Sequence, residues 1–507
     1  MDDRAYTTLV RRLEVDSNIG PSAFRSKVFL ISVTAYVVLF GMLACVAALL
    51  WFGYASARSH HSTGNTVRIA IAAFAMLPVF LVVLRFFFMR LSAPEGRFVT
   101  RQEAPRLFET LDKMRAKLHG PAIHHVLIDD EYNAAIAQVP RFGLFGGHTN
   151  YLVLGLPYLL GVSPKEMFAT IAHEYGHLCG NHGKLGAWVY RQRRVLGALH
   201  EKVRDSADHS AFDGMLNTAL ARFMPYYNAY TFVLSRQDEY EADRTATDLV
   251  GASANASGLI RDALLGRWIR QEFWPRLYRQ ADTAMKPSFM PFHSMRTAFK
   301  ASYGQWATNE GLKAAWMQKS DLHDTHPCLR DRVEATGETP ALPPPVEVTA
   351  AEALLGARFA KTLIDEFDSR WWERERTDWE ARYKYATRSR NRLKELSCKS
   401  LAQLPVQDLQ EYAFLTEEFE SEAAAKPILE HLLKQPSGPF PKASFAYGRI
   451  LLKEDNRRGL DYLEAAAASD SRAIEDVAHI GFYYLLRKEG EYSAEKWWDK
   501  IWELLDE

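Results

Sequence analysis

The chain has 507 residues, enough for about three domains of ordinary size. Lys and Arg together number 62, as do Asp and Glu, so the formal net charge is zero and a general nucleic-acid binder is excluded. Hydrophobic residues form 48% of the chain, which excludes intrinsic disorder for most of it. The four cysteines lie far apart without a CxxC pair, which argues against a disulfide scaffold or a cysteine-based zinc site.

Two apolar runs lie near the N-terminus. Residues 28–54 contain no Asp, Glu, Lys or Arg over 27 positions, and a helix needs about 20 residues to cross a bilayer. A signal peptide is the competing interpretation, but its apolar region has only ~7–15 residues. Residues 69–84 add 16 uncharged positions, and this run continues past Arg85 to residue 90. The pattern predicts a two-helix transmembrane hairpin, with an interfacial or buried helix as the alternative for the second run.

Cations flank the predicted hairpin on one side. The connecting loop holds Arg58, with Arg68 at its edge, whereas eight cations lie outside it: Arg11, Arg12, Arg25, Lys27, Arg85, Arg90, Arg97 and Arg101. The positive-inside rule then places the N-terminus and everything after residue 90 in the cytoplasm. The chain is therefore predicted to be a multi-pass membrane protein. The predicted membrane is a bacterial inner membrane, and the membrane of an organelle is the alternative.

An HExxH motif consists of His173, Glu174 and His177. Residues four apart on a helix share a face, so both imidazoles can reach one ion, and Glu174 can take a proton from the attacking water. Zinc suits two imidazoles and a carboxylate, with the fourth position left for water. Ser163 before a proline predicts the start of the helix. Gly176 either allows another element to approach closely or is merely tolerated in the helix. The alternative is an ordinary amphipathic helix with surface histidines.

A candidate for the third ligand lies 62 residues after His177. Glu239 and Asp243 are four apart and therefore share a helical face. Glu239 can supply the third metal ligand, while Asp243 can accept the second N–H of a ligating histidine and fix its tautomer. Asp238 and Glu241 lie on other faces, which predicts solvated charges. The two motifs together predict a site for one zinc ion (Zn2+) per chain.

With these motifs the chain resembles the HtpX and CAAX-prenyl-endopeptidase family of membrane-associated zinc metalloproteases. Residues 235–243 are similar to that family's SRxxEYxAD segment, and residues 325–332 to its THPxxxxR segment. Residues 132–135 (YNAA) are similar to its NAxA stretch before an edge strand. The resemblance covers roughly residues 100–335. It implies a mostly α fold with a small β-sheet, an α+β metallopeptidase domain of the zincin type.

The resemblance also implies roles in binding zinc and in hydrolysis. His173, His177 and Glu239 are the implied zinc ligands. Glu174 is the implied general base and then general acid. His326 is implied to donate a hydrogen bond to the developing oxyanion, a type of contact worth several kcal/mol when it is preorganised; its alternative role is to end a helix before Pro327.

Three further residues are given supporting roles by the resemblance. Arg332 is implied to hold the site together by pairing with acids such as Asp243. Asn133 and Ala134 are implied to line an edge that pairs with an extended substrate backbone. The implied substrate is a membrane or membrane-proximal polypeptide, in protein quality control.

The chain departs from this family between the two zinc motifs, where HtpX-type members carry further membrane helices. The best uncharged run there, residues 223–235, has 13 positions, which is too short to span a bilayer. It predicts a buried or interfacial helix. Because no cage of membrane helices can be built, a CAAX-type substrate is disfavoured.

The C-terminal third is predicted to be helical and non-catalytic. Pro340, Pro343, Pro344 and Pro345 mark an extended linker, which a densely charged helix follows. Similar apolar segments then recur 33 residues apart, at positions 413, 446 and 479. This period is typical of tetratricopeptide (TPR) or Sel1-like helical repeats, which dock protein partners, and an irregular helical bundle is the alternative.

These predictions divide the chain into five parts: a cytoplasmic segment (1–27), a transmembrane hairpin (28–90), a zinc metallopeptidase domain (91–339), a linker with a charged helix (340–404) and a helical-repeat domain (405–507). The leading hypothesis is a membrane-anchored zinc endopeptidase that binds a polypeptide substrate and the lipid bilayer but no nucleic acid. One alternative is a catalytically silent adaptor that recruits partners through the repeats. Another is a peptidase that is autoinhibited by residues 182–235.

Overall fold

The computed structural model describes residues 3–59, 92–141, 147–179, 188–189, 192–193, 211–318 and 326–504. The chain forms two compact units. The first consists of Met1–Pro275 and Phe289–Glu373, and the second of Arg276–Ser288 and Arg374–Glu507. The described residues are mostly helical with one small sheet, so the predicted α+β class is confirmed.

The first unit contains the sheet and the motif-bearing helices. Its strands are β1 (Arg97–Val99), β2 (His125–Asp129), β3 (Ala134–Pro140) and β4 (His148–Gly155). Its first helices are α1 (Asp3–Ile19), α2 (Pro21–Ser59), α3 (Pro105–Leu118), α4 (Leu156–Gly161), α5 (Pro164–Cys179), α6 (Ala211–Val250) and α7 (Ala252–Trp268). A π-helical turn leads into α8 (Trp274–Tyr278), where the chain passes from the first unit into the second. Back in the first unit, the helices are α9 (Pro291–Ala301), α10 (Tyr303–Trp306), α11 (Asn309–Met317) and α12 (Leu329–Ala335).

The sheet has the strand order β1–β2–β4–β3. β2 and β4 run parallel in the centre, whereas β1 and β3 are antiparallel edge strands. Val126, Leu127 and Ile128 of β2 are all buried, as is expected of a strand covered on both faces. Among the described residues, β3 forms one edge of the sheet.

The predicted apolar runs have different outcomes. Residues 28–54 fall within α2, whereas residues 69–90 lie outside the described residues. Among the described residues, no helix meets both the length and the hydropathy that a membrane span requires. The shorter run at 223–235 lies within α6, where Ala229, Phe232, Val233 and Leu234 are buried. That run therefore forms part of a buried helix, one of the two forms predicted.

The proline-rich segment after α12 has no regular structure, but it packs onto the first unit. The Pro344 carbonyl accepts a hydrogen bond of 2.6 Å from Arg261 Nη2, and the Pro343 carbonyl one of 2.7 Å from Tyr303 Oη. Ala350 N donates to the Val162 carbonyl at 2.9 Å. α13 (Ala357–Ser397) follows, and the boundary between the two units lies inside this helix.

The second unit consists mainly of successive helices after α13. They are α14 (Val406–Phe419), α15 (Glu422–Leu433), α16 (Pro441–Lys453), α17 (Gly459–Ser469), α18 (Ile474–Lys488) and α19 (Glu491–Glu503). Gly448 in α16 and Gly481 in α18 are 33 residues apart, and each contacts the next helix. A Cβ added to Gly448 would lie 2.7 Å from the Gly459 carbonyl oxygen, and one added to Gly481 would lie 2.1 Å from Trp497 Nε1. At the predicted repeat positions, Ala413 and Ala446 are buried but His479 is exposed. The TPR-like interpretation stays a prediction.

Candidate metal centre and active site

α5 carries the HExxH motif and begins where the sequence predicts. Ser163 and Glu166 form a capping box, in which Ser163 N donates to Glu166 Oε2 at 2.8 Å and Glu166 N donates to Ser163 Oγ at 3.4 Å. The apolar side of the helix is buried through Met167, Ile171 and Ala172. This fixes the rotation of α5 and places the two histidines on a common face.

α6 approaches α5 closely at Gly176, the first of the two alternatives that the sequence leaves open. A Cβ added to Gly176 would lie 3.1 Å from Ala242 Cα and 3.2 Å from Thr245 Cβ. A larger side chain would push the two helices apart. The close crossing brings Glu239 and Asp243, one turn apart on α6, against the histidines of α5.

Three ligand atoms meet at this crossing. The group of His173, His177 and Glu239 has all of its ligand atoms within 4.8 Å of one another. The two Nε2 atoms are 3.3 Å apart, and each is 3.5 Å from a Glu239 carboxylate oxygen. Two atoms that bind one zinc ion at ~2.1 Å with tetrahedral geometry lie ~3.4 Å apart. His173 Nε2 lies 3.5 Å from Glu239 Oε2 and His177 Nε2 lies 3.5 Å from Glu239 Oε1, so the two imidazole nitrogens and this carboxylate are spaced as the ligands of one zinc ion are.

Asp243 and Arg332 support His173 from behind. His173 Nδ1 donates to Asp243 Oδ1 at 2.9 Å, which in the neutral ring leaves the lone pair on Nε2, the atom that faces the other ligands. Arg332 Nε and Nη2 donate to the two Asp243 oxygens at 2.8 and 2.7 Å. This is a bidentate pair of the kind that fixes a carboxylate in one orientation. Asp243 thus makes the histidine contact that the helical spacing suggests and the Arg332 contact that the family resemblance implies.

The electrostatics of the group favour a cation. Burial acts to lower the pKa of His173, but the hydrogen bonds with Asp243 and Glu239 outweigh it and raise this pKa to about 9. Burial lowers the pKa of His177 to about 4. Although burial opposes it, hydrogen bonds from His173 and His326 hold the pKa of Glu239 far below its usual value. The acids stabilise positive charge at His173, and a bound metal ion would supply such charge at this place.

Glu174 lies beside the ligand atoms and touches the edge strand. Its Oε2 accepts a hydrogen bond of 3.1 Å from Ile136 N of β3. Burial raises the pKa of Glu174, which brings the carboxylate nearer to the range of an effective proton acceptor at neutral pH. The Ile136 N–H is directed away from β4, so the outer side of β3 faces this carboxylate.

His326 forms a hydrogen bond with Glu239, one of the three candidate metal ligands. Its Nδ1 donates to Glu239 Oε2 at 2.8 Å, and its side chain is 55% exposed. The hydrogen bond with Glu239 raises the pKa of His326, which favours the protonated ring. Thr325, the first residue of the predicted THP segment, lies outside the described residues.

Asn133 and Ala134 lie at the start of the edge strand. Asn133 Oδ1 accepts a hydrogen bond of 2.8 Å from Ala134 N, and the Asn133 carbonyl accepts one of 2.8 Å from Gly155 N. Ala134 is paired with Leu154 of β4 and is buried. The Asn133 side chain therefore shapes the turn into β3.

Sequence reasoning missed two supporting interactions. The capping residue Glu166 is also the partner of the buried Arg261, whose Nε donates to Glu166 Oε2 at 2.9 Å, and this ion pair ties α5 to α7. The contact between Ile136 and Glu174 was missed as well. Neither leaves a signal in the sequence, because the partners lie 95 and 38 residues apart.

Residues 113–339 match the model of peptidase family M48. This match supports an M48 family metallopeptidase. The matched segment contains β2, β3, β4, α5 and the described residues of α6 and α12, and so it includes every residue of the metal group. A comparison with curated proteins gave no match. The residues of the M48 segment fit the zinc ion that is typical of such peptidases.

Proposed function

We propose that this protein is a membrane-anchored zinc endopeptidase that cleaves membrane or membrane-proximal polypeptides as part of protein quality control. The observation that carries the proposal is the meeting of two imidazole nitrogens, 3.3 Å apart, with the Glu239 carboxylate, each of whose oxygens lies 3.5 Å from one nitrogen, with Glu174 and the edge strand β3 beside them. A ligand group alone is compatible with a structural metal. The adjacent carboxylate and the edge are what a peptidase needs in addition.

The proposed chemistry assigns one task to each polar residue. His173, His177 and Glu239 hold the zinc ion, which, when bound, polarises a carbonyl and lowers the pKa of water. Glu174 accepts a proton from the attacking water and delivers it to the leaving amine. His326 donates a hydrogen bond to the substrate carbonyl oxygen as negative charge develops there.

The substrate is proposed to bind as an added strand. Residues 134, 136 and 138 share one direction along β3 because an extended strand repeats every two residues. Ile136 N in this set donates to Glu174 in this structure. A peptide carbonyl that pairs at this position takes over the Ile136 N–H from Glu174, so the bound peptide runs past that carboxylate. Main-chain pairing of this kind accepts many sequences, which suits the removal of damaged polypeptides.

The helices after α13 are proposed to be a TPR- or Sel1-like module that docks a protein partner.

The membrane anchor rests on the sequence. The uncharged residues 28–54 and the run at 69–90, with cations outside the connecting loop, are typical of a membrane hairpin with both ends in the cytoplasm. Alkaline extraction of membranes from expressing cells tests the anchor. The protein is expected in the membrane pellet, and its release into the soluble fraction would contradict the anchor.

The peptidase assignment is tested with the full chain in detergent and an unfolded membrane protein as substrate. Wild type is expected to hold about one zinc ion per chain and to cleave. Glu174→Gln is expected to keep zinc but to lose activity by about 10²- to 10⁴-fold. Glu239→Ala is expected to lose both zinc and activity.

Glu334→Gln is the matched control, since it neutralises an exposed carboxylate of α12. It is expected to behave as wild type. Wild-type turnover in Glu174→Gln would overturn the assignment of the general base. The absence of zinc from folded wild type would favour the adaptor.

A further inference from the structure

The metal-ligand helix α6 lies between two sets of neighbours. On one side, Glu239 and Asp243 face α5. On the other side, residues 236, 237 and 241 contact α1 and the first turns of α2. These contacts flank Glu239 in sequence, by two or three residues before it and two after it. They come from residues that precede the segment matched to the peptidase family.

Two ion pairs and one hydrogen bond form the clamp, by which we mean the contacts of Glu14, Ser17 and Arg25 with α6. Arg236 Nη1 donates to Glu14 Oε1 at 2.5 Å, and Arg25 Nη2 donates to Glu241 Oε1 at 2.6 Å. Gln237 Nε2 donates to the carbonyl of the buried Ser17 at 3.2 Å. All four charged side chains are at least partly shielded, with exposed fractions between 15% and 38%. The pairs are therefore screened less by salt than surface pairs.

An apolar cluster supports the clamp one to three turns earlier along α6. Val10, Leu13, Phe24 and Val28 from α1 and α2 pack with a buried set on α6: Ala229, Phe232, Val233 and Leu234. The rings of Phe24 and Tyr230 stack with centroids 5.8 Å apart. The apolar cluster fixes where α1 and α2 lie on α6, and the polar contacts fix its rotation at the metal ligand.

We infer that the N-terminal helices position the metal ligand, with Glu14, Arg25, Arg236 and Glu241 as positioning residues that hold the rotation of α6 so that Glu239 points at the two histidines. The inference rests on the proposed zinc site. It makes residues before position 92 part of the peptidase machinery, although the family segment begins at residue 113.

The test measures zinc affinity by competition with a chromogenic chelator, using the full chain in detergent. Glu14→Gln and Glu241→Gln each remove one ion pair with little change of shape. Each is expected to weaken zinc binding by about tenfold, the lower end of the effect of losing a direct contact to a metal ligand, because these pairs act on Glu239 through the rotation of α6. The unfolding temperature of the metal-free protein, measured alongside, is expected to change little. Loss of affinity without loss of fold is not expected from a merely structural contact.

The charge exchange Glu14→Arg with Arg236→Glu provides the rescue. It restores an ion pair between the same positions and is expected to recover zinc affinity that Arg236→Glu alone loses. The matched control is Arg296→Ala, which breaks a 2.5 Å ion pair with Glu352 in the same unit but away from α6. It is expected to leave zinc affinity unchanged.

The outcomes separate this inference from the proposed function. If wild type fails to bind zinc, the proposed function fails first. If wild type binds zinc and both Gln variants bind it equally well, the positioning role is overturned and the zinc site stands. Should one variant fail to fold, the other pair still decides, because the two pairs lie on different helices of the clamp.

Discussion

Asp243 orients the metal ligand His173 through a hydrogen bond. Its buried carboxylate accepts one hydrogen bond from His173 Nδ1 and others from the Arg332 guanidinium. An amide in its place can present an NH₂ group to His173 and so favour the wrong tautomer. It also leaves the Arg332 guanidinium without its carboxylate partner.

Asp243→Asn is therefore expected to weaken zinc binding by about 10- to 100-fold. Chelator competition measures this. Asp248→Asn is the control, because Asp248 lies on the same helix but is exposed. Equal zinc affinities of Asp243→Asn and wild type would contradict the orienting role.

Asp129, at the end of β2, is a carboxylate that the fold disfavours in its charged form. Burial raises its pKa to about 6, and the neighbouring Asp130 and Glu131 add to this, against a hydrogen bond from Glu131 N. The folded pKa is higher than the unfolded one. The ionised side chain therefore costs stability above about pH 6, and the cost vanishes as the pH falls below about 4.

Asp129→Asn is expected to raise the free energy of unfolding by about 1–2 kcal/mol at pH 8, because an amide keeps the acceptor for Glu131 N and carries no charge. The gain is expected to shrink towards zero at pH 4. Denaturant unfolding at both pH values measures it. A gain that is the same at pH 4 and pH 8 would show that charge is not the cause.

At the scale of the helices, the crossing of α5 and α6 depends on Gly176. The nearest atoms to an added Cβ include the backbone of Ala242, and backbone cannot rotate out of the way. Substitution therefore moves the helices apart and carries Glu239 with α6.

Gly176→Leu is expected to weaken zinc binding and to lower the free energy of unfolding by about 1–3 kcal/mol, the usual cost of overpacking. Gly258→Ala is the control, since Gly258 also lies in a helix but has its nearest contacts at an ordinary 3.6–3.8 Å. It is expected to be neutral or slightly stabilising. Unchanged zinc affinity in Gly176→Leu would mean that the crossing tolerates the side chain.

At the scale of the whole molecule, every ligand of the proposed metal lies in the first unit, whereas the helical pairs after α13 have separate apolar cores. A ligand stabilises only the part of a protein whose folded state it binds. Zinc binding thus couples to the unfolding of the first unit.

Removal of zinc is expected to lower the unfolding temperature of one calorimetric transition, through a loss of about 3–4 kcal/mol when free zinc exceeds its dissociation constant by 100- to 1,000-fold. A second transition, from the helical pairs, is expected to stay in place. Readdition of zinc is the control. A single transition that shifts as a whole would contradict independent unfolding.

The sequence by itself determined the parts that rest on local periodicity. HExxH and the Glu239–Asp243 pair each place side chains on one face of a helix, since four residues make about one turn. The capping residue Ser163 and the small residue Gly176 are local signals of the same kind. The role of Arg332 beside Asp243 followed from the resemblance.

Only the tertiary structure decided which distant groups meet. Glu174 accepts a hydrogen bond from the Ile136 backbone N–H, and Glu166 forms an ion pair with Arg261. Arg236 forms an ion pair with Glu14, a residue 222 positions away in the chain. Such pairings depend on how amphipathic helices and a short sheet bury their apolar faces together, and no spacing along the chain records that. The metal ligands were readable because one helical turn relates them in pairs, and their supports were not because folding alone relates them.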